Sequence, residues 1–349
     1  MRKALFGLLG SLLLVSFVQA SEHTGDSALR LDHPEQYVVK KGDTLWDISE
    51  TFLKTPWLWP EIWHVNPQIQ NPHLIYPGDT ISLVYIDGKP RLIINRGMGD
   101  RTVKLTPTTR IEPLDTVIPA IPLDAIDAFL TRSRVVTAEA LAGAAYVISG
   151  HEGRIISGGG DKLYARDGLL DSANLFSSYG VYRPSKNYID PDTNEDLGVE
   201  ALEMGLGKVI AKDGDVSTMK LSSSDKEIRL KDRLLPTEEL NVVPTFFPSA
   251  PKTQISGKII SVIGGVTQVG QFNVVAINRG ERDGIVVGNV MAIYHESGQV
   301  KDRVRNEMVQ LPSERGGLLM VFRVFEKMSY ALVLKAERPL AVLDEIRNP

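Results

Sequence analysis

All four tryptophans of the chain, Trp46, Trp57, Trp59 and Trp63, fall in one stretch of about fifty residues, Gln36 to Tyr85, which carries its own start and stop signals. Tyr37 to Val39 is a short β-rich run, broken by Lys40, Lys41, Gly42 and Asp43. Thr44 followed three residues later by Asp47 has the spacing of a capping box, with Asp in place of Glu. Leu45, Ile48 and Phe52 then give one apolar helical face. Thr55-Pro56 signals a second helix, because proline is tolerated in the first turn, and Asn66 before Pro67 closes it. Pro77-Gly78-Asp79 is a turn, and Ile81, Leu83 and Tyr85 alternate as a strand. The predicted order is β-α-α-β. So small a fold lacks core volume, which large aromatics supply, so packing is the expected role of the tryptophans. Trp57 or Trp59 is the one expected at the surface.

The pieces YVVKKGDTLWDIS, HVNPQIQNP and LIYPGDTISL, in that order and spacing, resemble the LysM module, a βααβ domain that binds N-acetylglucosamine polymers such as peptidoglycan. The stretch KTPWLWP departs from the shorter pattern as an insertion between the helices. The resemblance places a ligand groove between the turn Gly42-Asp43-Thr44-Leu45 and the stretch Asn71 to Pro77. Carried over by position, it falls on Gly42, Asp43, Thr44, Leu45, Asn71, Leu74, Ile75 and Pro77. An N-acetyl group offers an N–H and a C=O that loop backbone can pair. Gly42 allows close backbone approach, and a helix N-terminus has spare N–H donors. Leu45, Leu74 and Ile75 would receive the acetyl methyl. The same residues also admit a purely structural reading, in which Thr44 and Asp47 cap the helix and Leu45 and Ile75 are core.

With 349 residues, 43% hydrophobic and 23% charged, the chain is expected to be globular, with two or three domains. It has no cysteine, which removes disulfides, thiol catalysis and a lipidated N-terminal cysteine. Arg2 and Lys3, the apolar run Ala4 to Val18 and the small residues around Ala20 read as a signal peptide cut after Ala20; the run is short for a membrane span. A retained N-terminal anchor is the alternative. Cleavage would take the 39 basic residues to 37 against 43 acidic ones, a net of −6. An acidic exported protein is a poor partner for nucleic acid, and the expected compartment is the periplasm.

The expected division is a signal peptide (1–20), a polar leader (21–35), the LysM unit (36–85), a Pro-punctuated connection with short helices (86–144), a β-rich module (145–239), a linker (240–251) and a second β-rich module (252–349). The two modules read as an internal repeat. Ile148-Ser149-Gly150 leads to Arg154-Ile155-Ile156-Ser157, as Ile255-Ser256-Gly257 leads to Lys258-Ile259-Ile260-Ser261. Arg166-Asp167-Gly168 and Arg282-Asp283-Gly284 follow, and then a polar hairpin in each copy. Short Val/Ile-rich runs between Gly and Asn turns predict small barrels or sandwiches. The fold class is therefore α+β multidomain, a βααβ LysM module followed by β-rich modules.

The signal peptide, the LysM unit with its PWLWPEIW insertion and the tail NRGERDGIVVGNVMAIY…SERGGLLMVFRVFEKMSYALVL are together similar to the secretin-associated protein family of type IV pili, whose C-terminal part resembles a flagellar-ring protein. That resemblance implies peptidoglycan and an outer-membrane secretin as partners, with several copies around a ring. No cofactor, metal or catalytic residue is expected. His151 and His295 lack metal-spaced partners, and Ser157-Gly158-Gly159-Gly160-Asp161 is neither a nucleophile elbow nor a phosphate loop. No motif argues against a Glu-based glycosidase, so a wall hydrolase or its regulator stays open, as does a general wall-binding structural protein. SKNYIDPDTNED, Ser185 to Asp196, reads as an acidic surface hairpin. Lys301 to Arg315 reads as a solvated mixed-charge connection and a candidate partner surface.

Overall fold

The computed structural model describes residues 29–63, 75–95, 121–122, 125–126, 133–166, 177–237, 246–263, 268–295 and 298–349. The signal-peptide reading, the helix stop at Asn66-Pro67, Asn71, Leu74, Asp167-Gly168, much of the Pro-punctuated connection and the start of the linker lie outside these residues.

The N-terminal unit comprises β1 (Gln36–Val38), α1 (Leu45–Phe52), a 3-10 turn (Pro56–Leu58), α2 (Trp59–Ile62), β2 (Thr80–Ile86) and β3 (Lys89–Asn95). The capping box forms as read: Thr44 Oγ1 accepts from the Asp47 N–H at 3.2 Å, and Asp47 Oδ2 accepts from the Thr44 N–H at 3.0 Å. α2 stops earlier than Asn66. Trp63 turns extended and bridges to Leu92. Asp87 and Gly88 both take positive φ (53° and 73°), the geometry of a tight hairpin turn, so the sheet continues past Tyr85 into β3 with β2 at its centre. Leu45, Ile48, Phe52, Trp59, Ile75 and Ile81 form the core of this unit.

Beyond this unit helix is scarce among the described residues, so the α+β label holds only loosely. After β4 (Ser133–Val136) comes α3 (Ala138–Gly143), capped by Thr137 Oγ1 accepting from the Ala140 N–H. The strands then run β5 (Ala145–Gly150), β6 (Ile156–Ser157), β7 (Lys162–Arg166), β8 (Ser178–Ile189), β9 (Asp196–Asp213), β10 (Val216–Ser224), β11 (Ile228–Arg229) and β12 (Arg233–Pro236). Their pairings run β5-β7-β10-β9-β8-β12 and back to β5, a closed ring with β4 added outside β9. The second set is β13 (Ser256–Val262), β14 (Gln268–Val269), β15 (Val274–Ile277), β16 (Val290–His295), β17 (Gln299–Asp302), β18 (Glu307–Gln310), β19 (Glu314–Val324), β20 (Ser329–Ala336), β21 (Leu340–Ala341) and β22 (Glu345–Arg347). Here β13-β15-β20-β19-β16-β22 close a barrel.

The two rings share one strand order, and the pairings of the first recur 112 positions later in the second. Val147 pairs Ala165 as Ile259 pairs Ile277, and Val181 pairs Gly205 as Ile293 pairs Gly317. The bulges recur at Val147/Ser149 and Ile259/Ser261. So do the left-handed residues: Gly160 (φ 88°) matches Phe272 (64°), and Lys231 (73°) matches Leu343 (80°). The buried Asp232 and Asp344 each accept a turn N–H at 2.8 Å, from Arg229 and Ala341. The motif pairing read from the sequence is thereby corrected. Ile148-Ser149-Gly150 corresponds to Ile260-Ser261-Val262, not to Ile255-Ser256-Gly257. Short identical strings misled because the barrel demands apolar residues at alternate positions, not particular ones.

The strands of the second barrel are apolar at nearly every position because both faces are buried. Ile259, Val275, Ile277, Ile293, Leu319 and Val333 fill the interior. The alternate set, including Val274, Ala292, Leu318, Met320 and Leu332, packs in one cluster with Trp46 and Trp57 of the N-terminal unit, Ile121, Ile126 and Phe246, and Tyr188 and Leu197 of the first ring. Residues 246–251 are no free spacer. Phe247 stacks on Trp59 (6.4 Å, 27°), and Ser249 bonds to Gly288 and Val290 at 3.0 and 2.8 Å. Gly288, at φ 93°, admits the Phe247 carbonyl where a Cβ would clash.

The acidic hairpin is also not solvated surface. Its tip docks on the second barrel. Asp190 accepts from Asn278 Nδ2 at 2.9 Å, Asp192 pairs with Lys258, and Glu195 takes a fork from Arg282 at 2.7 and 2.8 Å with Lys327 at 2.9 Å. The hydrogen bonds from Arg282 and then Lys327 pull the Glu195 carboxyl down to about 2. Burial alone would push Asp190 up. Hydrogen bonds from the Asp192 and Thr193 N–H groups and from Asn278, with the charge of Arg279, outweigh it and leave its pKa lowered.

Candidate glycan-binding site

Two loops meet at one end of the three-stranded sheet. The Val39 N–H donates to the Asp79 carbonyl at 2.9 Å, and the Gly78 N–H donates to the Val39 carbonyl at 2.8 Å. This pins the turn Lys40–Thr44 beside the turn Tyr76–Asp79. Each turn holds itself. Asp43 Oδ2 accepts from the Lys40 N–H at 2.8 Å and from the Tyr37 hydroxyl at 2.9 Å, and Asp79 Oδ2 accepts from the Tyr76 N–H at 3.0 Å. Gly42 and Gly78 take φ of 97° and 96°, the left-handed region these turns require, and a Cβ at Gly42 would face open space. Burial, then the hydrogen bond to Asp43 and the charges of Asp43 and Asp47, push the Tyr37 phenol up to about 12.

Of the residues read as site candidates, Gly42 is exposed, Asp43 and Pro77 are half-buried, and Thr44, Leu45 and Ile75 are buried. Asn71 and Leu74 lie outside the described residues. Leu45 and Ile75 belong to the core of the unit, and the side chains of Asp43, Thr44 and Asp47 are occupied by capping and turn bonds. What this edge offers a ligand is therefore chiefly backbone, at the exposed Gly42 and Gly78. Such an edge suits a neutral polar ligand with alternating donors and acceptors.

The tryptophans do not extend this surface. All four are buried, and the expectation that Trp57 or Trp59 lies exposed is overturned. Trp59 packs into the core of the unit, edge-on to Trp63 at 6.1 Å. Trp46 and Trp57 face the second barrel, with the Arg315 guanidinium 5.9 Å from the Trp57 ring centre. Beside this seam is a cleft of about 420 Å³ whose lining includes Arg30, Asp32, Glu50, Arg315, Lys335 and Glu337. Lys335 bonds Glu50 across the seam at 2.7 Å, and Arg30 bonds Asp32 at 3.0 Å. Sequence reasoning missed this seam, because nothing in the stretch Gln36 to Tyr85 announces what covers Trp46.

His295 donates to or accepts from Asp344 at 2.8 Å, at the place where Arg183 clamps Asp232 in the first ring, so it is a piece of the repeated framework. Among the described residues no group of three or more His, Cys, Asp or Glu could hold a metal ion, and no helix is long and apolar enough to cross a membrane.

Comparison with known proteins agrees with this geometry over the N-terminal unit. The family model described as "LysM domain" matches residues 37–84. A Bacillus subtilis (strain 168) protein named "Uncharacterized protein YqbP" is 38% identical over 60 residues, which are 14% of this chain and 27% of that protein. The chain thus spans about a quarter of that relative's length. Residues 37–84 are a LysM domain. LysM domains bind peptidoglycan and other N-acetylglucosamine polymers, and usually occur in extracellular or cell-wall proteins.

Proposed function

With a LysM domain at residues 37–84 as the premise, we propose that this is a non-enzymatic periplasmic protein that grips peptidoglycan and fastens an outer-membrane secretin of the type IV pilus kind to the cell wall. The observation that carries the wall-binding half is the LysM match, joined to an edge where the turns at Gly42 and Gly78 are hydrogen-bonded side by side through Val39. In this reading glycan amides meet the backbone of Gly42 to Leu45 and of Ile75 to Pro77.

The secretin half rests on the resemblance of most of the mature chain to the pilus family, and the build of the remainder suits it. Two barrels locked by the hairpin tip, with the LysM unit seated on the second, carry load through packed interfaces rather than through a slack linker. A single LysM contact is weak, and several copies around a ring would multiply it. Export by a signal peptide cut after Ala20 belongs to the same reading. Crosslinking in cells followed by affinity purification tests it: a secretin should dominate the eluate. Clearing of a peptidoglycan gel by the purified chain would instead point to a hydrolase, and unchanged secretin rings after deletion to a general wall-binding protein.

A further inference from the structure

The β17–β18 hairpin is the counterpart, 112 residues on, of the docked tip of the β8–β9 hairpin. Asp190 accepts from two turn N–H groups at 2.8 and 3.1 Å, and Asp302 does the same at 2.7 and 3.2 Å. Asn194 and Asn306 sit at φ 58° and 56° in the matching turn position. Tyr188 and Leu197, which seal the first tip to the second barrel, correspond to Val300 and Val309, which lie opposite each other on β17 and β18. Yet the apolar side chains of the second tip stay exposed. β17 and β18 pair only with each other among the described residues, and Val300, Val304, Met308, Val309 and Leu311 are exposed, Val304 by 94%. A cluster of exposed apolar side chains on an element whose twin is an interface marks a contact surface.

We infer that the β17–β18 hairpin is a docking finger for a separate protein that presents an apolar sheet face bordered by carboxylates. The sign of the border follows from a charge reversal within the repeat. The docked tip carries Asp190, Asp192 and Glu195 and meets Lys258, Arg279, Arg282 and Lys327. The free tip keeps Asp302 and Glu307 where the docked one has Asp190 and Glu195, but it has Val304 in place of Asp192 and adds Lys301, Arg303 and Arg305 in place of Ile189, Pro191 and Thr193, so bases outnumber acids on it. A basic, apolar finger needs an acidic rim around its apolar seat. A second copy of this chain does not supply one. The matching face of the first ring has Lys162, Lys208 and Lys220 where the second barrel has Val274, Met320 and Leu332. The equivalent face of the second barrel is already covered by the first tip. This inference is independent of glycan binding.

The test places the photo-crosslinking residue p-benzoylphenylalanine at Met308 of the full chain, in cells that naturally make it, and identifies crosslinked peptides by mass spectrometry. The expected result is one heterologous protein, joined at an apolar surface segment flanked by Asp or Glu. Arg303→Glu with Arg305→Glu should lower the yield at least about tenfold, whereas Lys162→Glu with Lys208→Glu should leave it within about twofold. Arg303 and Arg305 are exposed, so the charge-reversed chain should melt with the parent. If it does not, Val304→Asp, at a fully solvated side chain, must give the same loss at an unchanged melting temperature. Crosslinks to a second copy, no protein crosslink, or a yield indifferent to charge reversal would each overturn the inference.

Discussion

Replacing Trp46 probes the seam between the LysM unit and the second barrel. α1 turns Leu45, Ile48 and Phe52 into its own unit, while Trp46 joins the cluster over the barrel's outer face and is 3% exposed. Burying about 200 Å² of indole at about 25 cal/mol per Å² contributes about 5 kcal/mol as an upper bound. The Nε1 donor has no hydrogen-bond partner, a desolvation cost of about 1–2 kcal/mol. The net, about 3–4 kcal/mol, is what Trp46→Ala should remove, in line with the usual range for such truncations. Trp46→Phe keeps most of the apolar contact and deletes the stranded N–H, so it should cost less than about 1 kcal/mol. Calorimetry of the full chain reads the difference. In the parent, the LysM unit and the second barrel should melt in one transition. Trp46→Ala should split off a lower LysM transition, and Trp46→Phe should not. Equal losses from the two variants would show that the N–H is paired or that the seam is not packed through this ring.

Acid should loosen the hairpin clamp. Asp190 and Glu195 have depressed folded-state pKa values, so their contribution is present above the ordinary carboxyl range and fades as pH falls from about 4.5 towards 2. Fluorescence energy transfer between labels on the two rings should drop over that range, and less so in Glu195→Gln. Alkali should act at the other end. Tyr37, Tyr182 and Tyr188 are all pushed up to about 12, so the stability they lend is whole below pH 10 and is lost between pH 10 and 12. An ultraviolet titration should show a late-ionising class that vanishes on unfolding. Gly317→Ala should cost at least about 1–3 kcal/mol, because its Cβ would press into the Lys335 carbonyl, and Gly205→Ala should cost a similar amount against the Ser223 carbonyl at 2.6 Å; urea midpoints measure both. Thr44→Ala should lose about 1 kcal/mol of stability by removing one cap bond, measurable in the same way.

Local chemistry was legible where it is self-contained. The Thr44–Asp47 box depends on neighbours in sequence, and it forms as spacing predicts. Val/Ile-rich runs of the last hundred residues, such as Val274–Ile277 and Tyr330–Leu334, form strands because both of their faces are covered. The repeat was visible but its register was not, since the core accepts Val147 for Ile259 and Ala165 for Ile277, and the identical residues, such as Gly205 and Gly317, are scattered. Tertiary partners were invisible. SKNYIDPDTNED looks like solvated acid until Lys258, Arg282 and Lys327 are brought to it, and Trp57 looks exposed until Leu318 and Met320 lie in the same cluster. At the glycan edge, the loops and the buried Leu45 could be read from the chain. Whether Leu45 lines a groove or a core depends on what packs above it.

Purified full-length chain mixed with washed sacculi and centrifuged puts the wall-binding claim to trial. The chain should pellet with the sacculi and be released by soluble N-acetylglucosamine oligomers. A chain that stays in the supernatant at every sacculus concentration, while circular dichroism shows it folded, would contradict the LysM anchor and everything built on it.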